Sequence, residues 1–133
     1  MSFSRWVRLL KSLALASAAL LTSVTLTLAH GVELSATIQA QTGSGRTSYS
    51  VDTLPAGAQV SSVQIQARYS TGEPMSGAQV KVFAPSDRST PWQTGNCDAQ
   101  GRFSFTPDPA QRGLWTVRVQ AADHSNFINI PIR

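Results

Sequence analysis

The residues of this 133-residue sequence best suited to chemistry are its two histidines, His30 and His124, and its single cysteine, Cys97. What His30 can do depends on what precedes it. Thr27 and Ala29 put small residues at the positions a signal peptidase reads, so the simplest cleavage follows Ala29. His30 then becomes the first residue, carrying a free α-amine and an imidazole together. Reference pKa values of about 8 and about 6.5 let a metal ion displace both protons near neutral pH. Such a two-nitrogen claw suits Cu(II), Ni(II), Co(II) and Zn(II) far better than Ca(II) or Mg(II). His124 sits beside Asp123, just ahead of the last apolar run. If the first and last strands lie together, His124 supplies a third nitrogen, with Asp123 or Glu33 as the oxygen donor. Gly31 follows His30 where a second histidine would complete a copper brace, so position along the chain leaves that third nitrogen unassigned.

No catalytic constellation accompanies these residues. The chain has no nucleophile elbow, no HExxH and no glycine-rich phosphate loop in the required setting. The expectation is a noncatalytic protein. Cys97 has no partner within the chain, which leaves a small buried hydrophobe or an intermolecular bridge. Tyr49, Trp92 and Phe127 are either an aromatic binding face or packing and loop anchors.

The elements that must position these groups begin with an export segment. Arg5, Arg8 and Lys11 precede Leu13–Leu28, which carries no charge, so residues 1–29 read as a signal-peptide helix. The mature protein is then periplasmic or extracellular, or membrane-associated if the segment stays uncleaved. Of 11 Lys and Arg, those three leave with the signal, so residues 30–133 hold 8 against 7 acidic residues, a net charge of +1. The arginines that remain are scattered, with no basic stripe, which argues against nucleic acid as a partner.

From residue 32 onward the dominant period is two. Apolar residues alternate with polar ones in 32–40, 63–69 and 78–84, and shorter runs recur at 103–105, 115–119 and 128–132. Weaker candidates are 47–51 and 92–94. Gly, Pro and Asp clusters separate the runs, and no stretch sustains a helical period. One-sided strands of this kind bury their apolar faces by stacking two sheets. The expected fold is an all-β antiparallel sandwich of about seven strands in a single domain, residues 30–133.

Three stretches carry a family resemblance: Gly72-Glu-Pro-Met-Ser-Gly-Ala-Gln-Val-Lys-Val82, Thr94-Gly-Asn-Cys-Asp-Ala-Gln-Gly-Arg-Phe-Ser-Phe105 and Gly113-Leu-Trp-Thr-Val-Arg-Val119. Together they resemble the carboxypeptidase regulatory-like domain, which implies a transthyretin-like, immunoglobulin-like sandwich attached to other functions. Within it Asp98-x-x-Gly101 reads as a hairpin turn, with Asp98 bonding its own backbone and Gly101 at positive φ. One acidic side chain falls far short of a calcium site there. More narrowly, His30-Gly31, Gly72–Met75, Pro91–Gly95 and Asp98–Asp108 resemble small exported accessory proteins of nickel and cobalt uptake systems of the energy-coupling-factor type. That resemblance implies Ni(II) or Co(II) as cargo and a membrane metal transporter as partner, with His30, His124 and Asp123 as the metal-ligand candidates. A structural, adhesion or carbohydrate- or protein-binding module, and a periplasmic Cu(II) carrier, stay open beside it.

Overall fold

The computed structural model describes residues 31–133; residues 1–29, expected from the sequence to be a signal peptide, and His30 lie outside the described residues. Every regular element in that range is a strand. In chain order these are β1 (Val32–Thr42), β2 (Gly45–Tyr49), β3 (Gln59–Tyr69), β4 (Gln79–Phe83), β5 (Gln93–Asn96), β6 (Arg102–Phe105), β7 (Gly113–Ala121) and β8 (His124–Ile132). They form two four-stranded sheets, β2-β1-β3-β6 and β5-β4-β7-β8, with all named pairings antiparallel. The two weakest sequence candidates are both real strands, which makes eight rather than about seven. Both lie at sheet edges, where a strand needs only one apolar face and one hydrogen-bonded neighbour.

The alternation of the sequence is the alternation of burial. Ala36, Ile38, Val63, Ile65 and Ala67 point inward from the first sheet, while Val80, Val82, Val117, Val119 and Ile130 answer from the second. Full burial of each Val or Ile is worth about 1.5–3 kcal/mol. Trp115 is the largest buried side chain; its ring lies edge-on to Trp92 at 5.2 Å and tilted against Phe105 at 6.1 Å. Its indole N–H is satisfied too, donating to the Gln111 carbonyl at 2.9 Å. No polar or charged residue among those described is buried, so packing alone holds the interior.

Two local features depart from simple hairpins. Opposite Gln39 and Ala40 the β3 register skips Ser61, whose hydroxyl donates to the Gln39 carbonyl at 3.0 Å. The bulge thus leaves that carbonyl satisfied. At Asp98-Ala-Gln-Gly101 the expected turn forms: the Asp98 carboxylate accepts from the Gln100 and Arg102 amides, each at 2.9 Å, and Gly101 has φ 75°. Its two arms nevertheless part, β5 joining the second sheet and β6 the first. Gly101 permits this arrangement, since it lies so close to β3 that a Cβ would overlap the Ala67 carbonyl oxygen. The turn is therefore a corner between sheets and not a β-hairpin.

Candidate functional site

One end of the sandwich gathers the start of β1, the end of β3 and the start of β8. The Gly31 amide donates to Ser70 Oγ at 3.0 Å, and the Ser70 amide donates to the Gly31 carbonyl at 2.9 Å. Val32 is then in register with Tyr69. From the other sheet, Asn126 Nδ2 donates to the Val32 carbonyl at 2.9 Å, tying β8 to β1. The chain is thus fixed by backbone and side-chain bonds one residue after His30.

His124 is the first residue of β8 and not a loop residue ahead of it, because its strand pairing with Ala121 closes the β7–β8 turn. Ala122 in that turn takes φ 50°, a left-handed conformation costing of order 1 kcal/mol for a residue with a Cβ. The imidazole of His124 is half-buried and meets the ring of Tyr69 edge-to-face, with centroids 5.6 Å apart and planes at 76°. Together with Thr71 and Glu73 these two rings line a shallow depression of about 270 Å³. Glu73 is held there by its own turn: the Tyr69 amide donates to the Glu73 carbonyl and the Gly72 amide to the Tyr69 carbonyl, both at 2.8 Å.

The other oxygen candidates stand elsewhere. Asp123 is an exposed residue of the β7–β8 turn and does not line the depression. Glu33 is an exposed residue of β1 opposite Arg68, its neighbours Val32 and Leu34 turning the other way. The carboxylate residue that does line the depression with His124 is Glu73, which in the sequence reads as part of a turn motif. The link is Val32, which is in register with Tyr69 at the end of β3 and accepts the Asn126 bond from β8.

Among the described residues, no group of three or more His, Cys, Asp or Glu is placed to hold a metal ion. This end offers one imidazole, His124, and one carboxylate, Glu73. An imidazole and a carboxylate fit the borderline divalent metals, but a two-ligand set holds them weakly without further donors. Cys97 does not add one. Its side chain is buried in the core and makes no disulfide, and burial, followed by the neighbouring Asp98 charge, pushes its thiol pKa up. A protonated buried thiol is an inert packing group.

The aromatic candidates divide. Tyr49 packs against the core and Trp92 leans on Trp115 while remaining 41% exposed. Phe127 stands out from β8, 56% exposed. Compared with known proteins, the chain matches no family model, no curated protein and no solved structure.

Proposed function

We propose that this is an exported, noncatalytic metal-binding accessory protein that hands Ni(II) or Co(II) to a membrane transporter. On this reading the sandwich is of the carboxypeptidase regulatory-like, immunoglobulin-like kind, and His30 is the mature N-terminus. Its α-amine and imidazole bind the ion as a two-nitrogen claw, and His124 completes three nitrogens, with Glu73 or Asp123 supplying oxygen.

The observation that carries the proposal is the anchoring of Gly31 to Ser70, beside the Tyr69–His124 ring pair. Gly31, the residue that follows His30 in the sequence, thus stands at the same end of the fold as His124. Exposure favours cargo transfer over permanent storage, because a few ligands at a rim release an ion more readily than a closed tetrahedral site.

The test combines the intact mass of the naturally processed protein with calorimetric titration of Ni(II), Co(II) and Cu(II). The proposal requires a mass beginning at His30 and about one equivalent of metal bound, with binding lost when one residue is added before His30. A mature chain that starts elsewhere, or binding indifferent to the added residue, refutes it. Cu(II) binds nitrogen sites more tightly by its intrinsic order, so Cu(II) preference alone does not reassign the cargo.

A further inference from the structure

The outer face of the second sheet sets cations on adjacent strands. None of its four strands, β5, β4, β7 and β8, contains an Asp or Glu. Lys81 on β4 stands directly opposite Arg118 on β7, and Arg118 stands directly opposite Phe127 on β8. Two cations facing each other across a ladder repel and destabilise the sheet unless an anion comes between them. Among the described residues, neither these two side chains nor Arg88 makes an ion pair or hydrogen bond.

These groups line an open depression of about 580 Å³, together with Phe83, Ser89 and Pro91. The carboxylate closest along the chain, Asp87, is absent from the lining, and its Oδ1 accepts from the Ser89 amide and hydroxyl and the Thr90 amide. Beside the cations lie Thr116 and Asn129, the threonine hydroxyl donating to the asparagine oxygen at 2.8 Å, which leaves the asparagine N–H₂ for a ligand.

We propose that this depression binds an acidic oligosaccharide, with Lys81, Arg118 and Arg88 meeting its carboxylates and Phe127 stacking against a sugar ring. Charge complementarity names an anion, and the neighbouring features narrow its class. An exposed aromatic face flanked by neutral hydroxyl and amide groups matches the apolar faces and hydroxyls of a pyranose. An extended acidic peptide is disfavoured, because β4 and β7 are interior strands whose backbone groups are already paired on both sides. An anionic membrane would meet the same cations without using the Thr116 and Asn129 polar groups, and vesicles are therefore one arm of the test.

The experiment is titration of the intact protein, followed by amide chemical shifts, with a hexamer of α-1,4-linked galacturonate. Its fully methyl-esterified neutral form, hexaglutamate and phosphatidylglycerol vesicles serve as comparators. The expected result is shifts in β4, β7 and β8, about tenfold weaker binding in the K81Q/R118Q double variant, and no binding of the neutral ester. F127A weakens the sugar several-fold, and because its side chain is exposed this variant keeps the test open should the double variant misfold. R46Q, a charge change on the other sheet, leaves affinity unchanged. The proposal is overturned if the acid hexamer does not bind, if the neutral ester binds equally well, or if hexaglutamate or vesicles bind as tightly. An R46Q loss equal to that of the double variant overturns it as well.

Discussion

The interior of the sandwich and its His124 end are built on opposite rules. Inside, every side chain is apolar, the one thiol is buried, and the Trp115 N–H is bonded to Gln111. Nothing there is free to bind or react. At the His124 end an imidazole, a phenol ring, a hydroxyl and a carboxylate gather at a shallow surface, beside the hydrogen bond from Asn126 of one sheet to Val32 of the other. The difference teaches where this fold can carry function. Its core can change little without loss of stability, whereas its rim and outer faces can change chemistry at small cost to the fold.

Substitutions should separate the two regions cleanly. The largest effect belongs to Trp115→Ala, which removes the biggest buried side chain and should destabilise the protein by about 3–5 kcal/mol in denaturant unfolding. A loss below about 1 kcal/mol would mean that the interior is not the close-packed region described. Gly101→Ala follows, at about 1–3 kcal/mol or more, since the residue has φ 75° and its new Cβ would overlap the Ala67 carbonyl. His124→Ala should cost about 1 kcal/mol, well below Trp115→Ala, because the ring is only half-buried and lies outside the apolar core. The same variant should weaken Ni(II) and Co(II) binding at least tenfold in calorimetry. Equal affinity would remove His124 from the ligand set.

Two smaller effects depend on pH. The Cys97 thiol pKa is raised by burial and by Asp98, so less of it is thiolate at any given pH than for a free cysteine. Alkylation of the native protein at pH 8 should therefore proceed far more slowly than after denaturation; comparable rates would show the thiol to be accessible. The smallest effect is at Asp87. Hydrogen bonds from Ser89 and Thr90 hold its folded pKa below the ordinary 3.8. That stabilisation is present above 3.8 and is lost as pH falls through the lower folded value. Protection of the Ser89 and Thr90 amides, measured against their intrinsic exchange rates, should fall in that acid range while amides of β7 stay protected. Unchanged protection in that segment would show that the capping bonds contribute nothing.

Much of the interior was legible in the sequence because burial of one strand face imposes a period of two. The runs at 32–40, 63–69, 78–84 and 115–119 name the core almost residue by residue. What periodicity cannot supply is which strands become neighbours. The Asp98–Gly101 turn looks like a hairpin in sequence and is a corner between sheets, an arrangement permitted by the approach of Gly101 to β3, 34 positions from its Ala67 contact in the chain. The site was legible to the same degree. His124 was visible as a residue type, whereas Glu73 was hidden in a turn motif and joins it only in the folded chain. The pairing of Lys81 with Arg118 and Phe127 was likewise invisible, since each belongs to a different strand.

The central claim is that the metal ion sits at the His124 end, and Co(II)-induced paramagnetic broadening of the assigned protein spectrum tests it most directly. The account predicts that substoichiometric Co(II) broadens signals of His124, Tyr69, Ser70 and Gly31 first and leaves Trp115 and Phe127 sharp. Broadening centred elsewhere, or none at all in the naturally processed protein, would contradict it.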